Sequence, residues 1–450
     1  MGKLWDKGYA LDAEVETFST GDDPQLDVAL IPWDCAGSAA HAKMLAKIGI
    51  LTTDEAERLR TALAEIVRRA GRGEFAIKQD DEDVHTAVEN DLVKTLGDLG
   101  KKLHTARSRN DQVLVDLRLY MRERLLVVAE AALALARTLL TLAEKHKEVP
   151  IPGRTHMQRA MPSSVGLWAA AFAESLLDDM ISLRAAYQVA DQCPLGSAAS
   201  YGVSLPIDRQ YTSDLLGFAK VQNNVLYANN SRGKVEALAL SALIQFMLDL
   251  SKLATDVIIF ATPEFGYFIL PQEFCPGSSL MPQKRNPCPF ELARAKTGTV
   301  LGCLVQVMDI VRGLPSGYNR DFQETKGALM RGIETTRASL AVCNACLARM
   351  EVDAARCTSS FTSELFATDR VLDYVKQGLP FRDAYRKVAA ELDRIPAQDP
   401  RANIRAKTHL GAPGNLGLHL SAQRLNEEAA WVAAARAAWQ PKIQALIGKW

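Results

Sequence analysis

The sequence predicts an all-α protein whose centre is a bundle of long helices. Strand signals are almost absent from its 450 residues. Apolar residues instead recur at three- and four-residue spacing over long stretches, and segments containing proline and glycine separate those stretches. Helices of such length bury their apolar stripes against one another. We therefore expect a long central helix bundle flanked by smaller N- and C-terminal helical domains.

Five long-helix patterns lie in the middle of the chain and define its organisation. They occupy residues 111–146, 163–191, 232–260, 287–312 and 326–352. Shorter helical patterns occur before residue 110 and after about residue 360, where several prolines interrupt the chain. The predicted division is an N-terminal helical domain at 1–110, the central bundle at 111–360 and a C-terminal helical domain at 361–450.

Two of the five segments indicate which of their faces should be buried. In the second, the apolar residues at helical spacing are Trp168, Phe172, Leu176, Met180 and Leu183. In the fourth, they are Leu292, Val300, Leu301, Leu304, Val305, Met308 and Val311. We expect both sets to face the interior of the bundle.

Composition excludes several classes of function. The chain has 53 Lys and Arg against 53 Asp and Glu, so no excess of basic charge points to nucleic acid or a membrane surface. The eight cysteines are scattered through mostly apolar stretches, which is typical of buried thiols in a reducing compartment. The charged start at residues 1–6 lacks the apolar centre of a signal peptide, and no apolar run approaches the roughly 20 residues of a membrane span. We expect a soluble, cytoplasmic protein.

The loop at 277–287, with the sequence GSSLMPQKRNP, is the most informative segment of the chain. It combines a flexible glycine, two hydroxyl groups, the cation of Lys284 and the amide of Asn286, directly before a predicted helix. Proline is tolerated in a first helical turn, so Asn286 is the predicted N-cap. The free N–H groups at that helix start and Lys284 favour binding of an anion.

Four further polar clusters occur at helix starts or loop junctions. They are 105–112 with two arginines, 153–159 with His156, 80–86 with His85, and 318–326 with aromatic, amide and cationic groups. Arginine beside a helix start binds carboxylates through paired hydrogen bonds, and histidine exchanges protons near neutral pH. The ordinary alternative for each cluster is a capped helix or a solvated loop.

No sequence pattern indicates a metal or an organic cofactor. The chain has no glycine-rich phosphate loop, no dinucleotide fingerprint and no nucleophile elbow. His409 and His419 have no carboxylate or cysteine partners at metal-ligand spacing. The chain instead combines one histidine, a serine loop and helix starts that can bind carboxylates. This combination is suited to proton transfer on an acidic substrate.

Six segments together resemble motifs of the fumarase/aspartase superfamily. They are GSSLMPQKRNP (277–287), LHTARSRNDQVLVDLRLY (103–120), PGRTHMQRAMP (152–162), DVHTAVE (83–89), CPLGSAA (193–199) and PSGYNRDFQETK (315–326). Within that superfamily, SRNDQV and YNRDFQ are similar to the argininosuccinate lyase family. The likeness implies reversible β-elimination of argininosuccinate to L-arginine and fumarate without a metal or other cofactor. It also implies a homotetramer, with bundles of several subunits forming its core and three chains contributing to each site.

The resemblance assigns catalytic roles to four residues. Ser278 is the base that removes a proton from the carbon beside a carboxylate, and Lys284 with nearby N–H groups would stabilise its alkoxide. Lys284 and Asn286 would hold the extra charge of the resulting aci-carboxylate. His156, or a group that it positions, would protonate the leaving guanidino nitrogen.

The same likeness assigns the binding of the two halves of the substrate. The residues for the fumarate-side carboxylates are Ser108, Arg109, Asn110 and Thr155, with assistance from Arg232. The residues for the arginine part are Tyr318, Gln323 and Lys326, and His85 supports the pocket. The sequence departs from the usual family pattern at Arg154, where tyrosine is common, and at Cys288, where aspartate is common.

Two alternatives to this enzyme remain open at the level of sequence. One is a catalytically silent structural homologue of the crystallin type, and the other is a sister lyase that releases fumarate from a different substrate. The group Ser278, Lys284, Asn286, His156 and Thr155 argues against the first, because a structural role needs none of them. The residues assigned to the arginine part argue against the second.

Helix length separates the predicted clusters within one chain. A helix of about 30 residues is roughly 45 Å long. If successive long helices are antiparallel, the starts of the helices at 163 and 287 share one end of the bundle, and the start of the helix at 111 lies at the other. We therefore predict active sites formed between subunits.

Overall fold

The computed structural model describes residues 12–449. The charged start at residues 1–6 lies outside the described residues. Six helices form the N-terminal part: α1 (Ala13–Thr20), α2 (Asp23–Leu26), α3 (Ile31–Lys47), α4 (Thr53–Gly71), α5 (Val84–Leu96) and α6 (Asp98–Lys102).

The central part contains the five predicted long helices and two short ones. They are α7 (Arg109–Lys145), α8 (Val165–Ala190), α9 (Arg209–Leu216), α10 (Val225–Asn230), α11 (Lys234–Phe260), α12 (Cys288–Val311) and α13 (Glu324–Leu347). The bundle is built by packing of α7 on α8, α11 on α12, and α13 on both α12 and α7. The predicted all-α bundle is confirmed.

The C-terminal part consists of α14 (Ala354–Ser359), α15 (Ala367–Lys376), α16 (Phe381–Ala389), α17 (Pro400–Arg405) and α18 (Leu418–Ile447). A small core of its own surrounds Phe366, while α18 returns to the main bundle and packs on α7. Trp439 of α18 is buried in the main core, 6.1 Å from Trp33 of α3 between ring centroids. The three predicted domain boundaries stay a prediction.

The strands are short and pair locally. They are β1 (Pro150–Thr155) with β2 (Gln158–Ser164), β3 (Gln192–Cys193) with β4 (Lys220–Val221), and β5 (Phe268–Ile269) with β6 (Glu351–Val352). The β1–β2 hairpin between α7 and α8 was missing from the sequence prediction, which treated its prolines only as a helix break. Proline is compatible with a short edge strand, since an edge leaves backbone N–H groups unpaired.

The predicted buried face of α12 is wrong. The residues of α12 that face the interior are Phe290, Ala293, Val300, Cys303 and Val307. Of the predicted set only Val300 is fully buried, whereas Leu292, Leu301, Val305 and Met308 are each about half exposed. Because α12 carries apolar residues on two faces, spacing alone could not show which face the rest of this chain covers.

Two helices, α7 and α11, are also apolar enough by length and composition to span a membrane. Their most apolar 18-residue windows have mean hydropathies of 1.9 and 1.5, and 56% of each window is buried in the bundle. Neither contains an unbroken apolar run of that length. A helix surrounded by other helices needs apolar residues on several faces, which accounts for these values.

A carboxyl pair between α8 and α11 makes stability depend on pH. Burial and the nearby carboxylate of Asp249 raise the pKa of Asp179 to about 8, and Ser175 donates a hydrogen bond to Asp249. A carboxyl pKa raised by folding stabilises the protein fully at pH below about 4, and that contribution is lost as pH rises through about 8.

We therefore expect Asp179→Asn to increase stability at alkaline pH. The amide cannot ionise, yet it still donates to Asp249. Because Asp179 is partly exposed, solvent screening limits the gain in Tm at pH 9 to roughly 1–3 °C, with little gain at pH 5. Scanning calorimetry at both pH values measures the effect, and Asp393→Asn, which removes an exposed carboxylate of the C-terminal part, is the control. Equal shifts at pH 5 and pH 9 would contradict this account.

Candidate active site

A polar cavity of about 150 Å³ lies at the end of the bundle where α7, α11 and α13 begin. Seven of the nine residues predicted to bind the two halves of the substrate line it: His85, Arg109, Asn110, Arg232, Tyr318, Gln323 and Lys326. Its other lining residues are mostly charged: Asp23, Asp27, Glu82, Asp83, Val113 and Arg320. The cavity therefore contains cationic side chains that can bind carboxylate groups of a ligand, and carboxylates that can bind a cationic group of a ligand. The individual roles of these residues stay a prediction.

The start of α7 is fixed by a capping box. The hydroxyl of Ser108 accepts from the N–H of Asn110 at 3.3 Å, and Asp111 accepts from the N–H of Ser108 at 2.9 Å. The second oxygen of Asp111 accepts from Gly196 and Ala198, at 3.0 and 2.9 Å. Asp111 thus joins the 193–199 loop to the helix start that carries Arg109 and Asn110.

Arg109 is held by two acidic residues before α5 and by a hydroxyl group within it. Its guanidinium group lies 2.5 Å from Asp83 and 3.4 Å from Glu82, and donates to the hydroxyl of Thr86 at 3.0 Å. Although burial raises the pKa of Asp83, the positive charges of His85 and Arg109 lower it more, so its pKa lies well below the usual range. Asp83 is therefore a carboxylate that keeps Arg109 in one orientation.

His85 is a buried cation at the same cavity. Its Nε2 lies 2.9 Å from Asp116 of α7, and its Nδ1 lies 3.4 Å from Asp83. Burial lowers the pKa of His85, but Asp83 and Asp116 outweigh that effect and hold it well above its ordinary value. Burial and the neighbouring Asp34 raise the pKa of Asp116 to about 7. His85 consequently links α5 to α7 in the wall of this cavity.

Asp34, His85 and Asp116 also have the side-chain types that bind metal ions. Their potential ligand atoms lie within 4.8 Å of one another, the one such group found in residues 12–449. Since His85 already contacts Asp116 at hydrogen-bond distance, we interpret the group as a charge network that supports the cavity wall.

Another part of the cavity wall combines the segment just before α11 with the segment before α13. The Arg232 guanidinium lies 5.7 Å from the centre of the Tyr318 ring, within the range of a cation–π contact. The side-chain amide of Gln323 donates to the carbonyl of Ser19 at 3.0 Å. Arg320, which the sequence prediction omitted, donates to the same carbonyl at 2.6 Å and to Glu82 at 3.0 Å.

Lys326 forms a buried ion-pair cluster that the sequence prediction also missed. Its ammonium group contacts Asp27 and lies 2.9 Å from Asp23. Burial lowers the pKa of Lys326, but the two carboxylates raise it further, so the net shift is upward. Asp27 also accepts from the N–H of Val84 at 3.1 Å. No local signal marks Asp27, because its partner is 299 positions away in the chain.

Lys326→Met is expected to destabilise the fold by about 3–5 kcal/mol, because it leaves the buried carboxylate of Asp27 and the partly buried carboxylate of Asp23 without their cation. Urea unfolding followed by circular dichroism measures the change. The matched control is Lys252→Met, which removes an exposed lysine of α11 and should change the free energy of unfolding by less than about 0.5 kcal/mol. Equal unfolding midpoints for both variants would contradict the role of the cluster.

His156 and Thr155 are not part of this cavity. They lie at the β1–β2 hairpin, where Thr155 pairs with Gln158 and His156 and Met157 form the two-residue turn. Both turn residues have positive φ, 52° and 62°. This conformation is unfavourable for residues other than glycine, and such strain is often found at functional sites. The turn presents His156 as an exposed side chain.

The 277–287 loop is closed on itself at its base. The N–H of Asn286 donates to the carbonyl of Pro276, and its side-chain amide donates to the carbonyl of Gly277, both at 3.2 Å. The prediction of Asn286 as N-cap is wrong, because this amide is used in the loop and Pro287 precedes the first residue of α12. Lys284 is exposed.

Ser278 has two backbone N–H groups directed at its hydroxyl oxygen. Leu280 donates at 3.3 Å and Met281 at 3.1 Å. Donors that point at an oxygen favour its negatively charged form. The sequence had predicted loop N–H groups for this purpose without identifying them.

The structure places the predicted residues at opposite ends of one chain. Arg118 of α7 donates to the hydroxyl of Ser231 at 2.8 Å, so the starts of α7 and α11 lie together. A Cβ at Gly233 would lie 2.1 Å from Val311, so α12 ends there as well. At the other end, Trp168 near the start of α8 lies 6.3 Å from Phe260, the last residue of α11.

It follows that the hairpin before α8 and the loop before α12 lie at the end away from Arg109. The separation is about the length of α11, roughly 40 Å for 27 residues. Ser278, Lys284, Asn286, His156 and Thr155 therefore do not meet Arg109, Asn110 and Lys326 within one chain. The predicted separation of the helix starts is confirmed, and active sites formed between subunits stay a prediction.

Comparison with known proteins first defines the class. A family model described as Lyase matches residues 13–302. An EDDS lyase variant solved with bound fumarate has a TM-score of 0.81 at 23% identity, over 98% of this chain and 95% of that one. A class II fumarase from Schistosoma mansoni has a TM-score of 0.70 at 16% identity, over 86% and 94%. The fold is therefore that of the fumarase/aspartase superfamily of lyases.

Relatives with higher sequence identity define the family within that class. Argininosuccinate lyase from Sorangium cellulosum is 47% identical over 95% of this chain and 99% of its own length. Argininosuccinate lyase from Thermotoga neapolitana is 44% identical over 87% and 98%. The chain belongs to the argininosuccinate lyase family.

Proposed function

We propose that this protein catalyses the reversible β-elimination of argininosuccinate to L-arginine and fumarate. The observation that carries the proposal is that this member of the family has two polar sites, one suited to binding the substrate and one suited to removing its proton. One end of the bundle holds a cavity with Arg109, Arg232 and several carboxylates, and the other holds Ser278 beneath two N–H donors. The first suits a substrate with carboxylate and guanidino groups, and the second suits proton abstraction.

The reaction begins with the base. Ser278, as the alkoxide, removes a proton from the carbon beside a carboxylate of the succinyl part. The N–H groups of Leu280 and Met281 lower the cost of the alkoxide, because they already point at its oxygen. Lys284 and Asn286 stabilise the extra negative charge on that carboxylate. One such donor contributes about 10²–10³ in rate.

The second step breaks the carbon–nitrogen bond. The electron pair of the aci-carboxylate forms the double bond of fumarate, and the guanidino nitrogen leaves with the bonding pair. His156, or a group that it positions, gives that nitrogen its proton, which yields L-arginine. The exposed hairpin turn suits this role because it can extend from one subunit into the site of another.

Carboxylate and guanidino groups of the substrate are held by the cavity at the other end of the bundle. Ser108, Arg109 and Asn110 at the start of α7 bind the carboxylates, with assistance from Arg232, and Thr155 joins them from the β1–β2 hairpin of another subunit. Tyr318, Gln323 and Lys326 bind the arginine part, and the charge network around His85 keeps Arg109 in place through Asp83.

The working enzyme in this proposal is a homotetramer with active sites shared between subunits. The two sets of functional groups lie roughly 40 Å apart in one chain, so each set can meet the other only if the second set comes from another chain. The exposed apolar residues of α12 support this assembly: Leu292, Leu301, Val305 and Met308. A contiguous apolar face of this kind marks a protein–protein contact. The proposed setting is arginine biosynthesis in the cytoplasm.

A direct assay tests the activity. Purified protein incubated with argininosuccinate should produce fumarate, followed by its ultraviolet absorbance, together with an equal amount of arginine. Adenylosuccinate and aspartate should react at least tenfold more slowly in kcat/KM. Turnover of either of those two substrates without turnover of argininosuccinate would assign the protein to a sister lyase. Absence of turnover with all three by the assembled protein would favour the silent structural homologue.

A further inference from the structure

A second polar cavity, of about 300 Å³, lies between the β1–β2 hairpin and α14. It shares no residue with the substrate cavity, and the proposed reaction uses none of its residues. Three arginines line it, Arg154, Arg159 and Arg356, together with one carboxylate, Glu264. Its formal charge is therefore strongly positive.

The hairpin register brings two of the three charges together. Arg154 of β1 is directly opposite Arg159 of β2 in the antiparallel pair. Like charges in this arrangement destabilise a hairpin. Within residues 12–449, none of the three guanidinium groups lies within 4.0 Å of a carboxylate oxygen. The fold thus holds an uncompensated positive cluster, which an anion would stabilise.

Backbone contacts fix two of the guanidinium groups in place. Arg154 donates to the carbonyl of Met157 at 3.0 Å and stacks 4.7 Å from the centre of the Phe265 ring. Arg356 donates to the carbonyls of Phe265 and Glu264, at 3.0 and 3.1 Å. Carbonyl contacts orient these groups without neutralising them. The Nε atom of Arg154 is buried and has no hydrogen-bond partner in the described part of the chain.

We propose that this cavity binds a phosphate dianion, either inorganic phosphate or the phosphate group of a small monoester. Arginine binds phosphate oxygens through paired hydrogen bonds. Three arginines and one glutamate leave two net positive charges, which match a dianion. A volume of about 300 Å³ lies at the lower end of the range for small-molecule sites and leaves room for more than the phosphate group. Arg154 also contacts the hairpin turn, so the site is joined to the segment that carries His156.

Isothermal titration of the purified full-length protein with inorganic phosphate tests the proposal. Ionic strength is kept constant with potassium chloride, and saturating fumarate is present to occupy the catalytic site. Glycerol phosphate, titrated in the same way, represents the monoester. We expect saturable binding of at least one of the two, and tighter binding of one identifies which source the cavity prefers.

The matched variants are Arg159→Gln and Arg382→Gln. The Arg159 side chain has no hydrogen bond or ion pair among the residues that the structure describes, so its replacement should leave folding intact. It should weaken phosphate binding at least tenfold, whereas Arg382, an exposed arginine of α16, should have no effect. Three results would overturn the proposal. Phosphate could bind with equal affinity to the wild type and to Arg159→Gln, or its binding could be lost when fumarate is added. The third result is that neither phosphate compound shows saturable binding.

Discussion

Ser278→Ala is expected to lower kcat by about 10³-fold or more while leaving folding and assembly unchanged. A general base contributes about 10²–10⁴ to the rate, and alanine has no group that can accept the proton. The Ser278 hydroxyl accepts only from N–H groups of its own loop, Leu280 and Met281. Loss of the hydroxyl group therefore removes the proposed base without removing a contact between helices or strands. Steady-state formation of fumarate measures the effect.

The adjacent serine is the control. Ser279 is exposed and lies next to Ser278 in the same loop, so Ser279→Ala tests whether any serine loss in this segment disturbs it. We expect Ser279→Ala to retain more than a tenth of the wild-type kcat. If both variants lose activity equally, or if Ser278→Ala stays active, the assignment of the base is wrong.

Mixing two inactive variants is expected to restore activity. One chain carries Ser278→Ala and the other Arg109→Gln, residues that lie at opposite ends of the bundle. If each site takes its serine loop from one subunit and its α7 start from another, random mixing gives native copies of both in roughly a quarter of the sites. The specific activity after unfolding and refolding the mixture should approach that fraction of wild type.

A double variant with both substitutions is the matched control for this experiment. Mixed with Ser278→Ala, it supplies no chain with a native serine, so activity should stay at the level of the single variants. Native mass spectrometry confirms that mixed tetramers have formed. Mixed tetramers without recovered activity, or a protein that is monomeric at assay concentration, would exclude sites shared between subunits.

The helices were predictable because their signals are local. Apolar spacing and breaks gave all five long helices to within about five residues, and the capping box that starts α7 at Ser108 was identified only in the structure. The β1–β2 hairpin was missed because proline at its start resembles a simple break. Asn286 was assigned to a helix cap because a sequence does not show that the carbonyl of Gly277 competes for its amide.

The candidate site was predictable in part for a different reason. The resemblance to a family supplied the residues that line the cavity from α7, α11 and the segment before α13. It did not supply Asp27 or Arg320, and the acidic run at 80–83 resembled a solvated face. Those residues acquire their roles from partners in distant segments, such as Lys326 for Asp27 and Ser19 for Arg320.

By itself, the sequence determined the fold class, the family and the chemical groups available, because helical spacing and short motifs are properties of neighbouring residues. It also predicted that the polar clusters lie far apart within one chain, because helix length follows from residue number. Only the tertiary structure decided which face of α12 stays uncovered and how Asp83 and His85 hold Arg109. It alone showed that three arginines share one cavity. These features depend on contacts between segments far apart in the chain, and no local pattern encodes them.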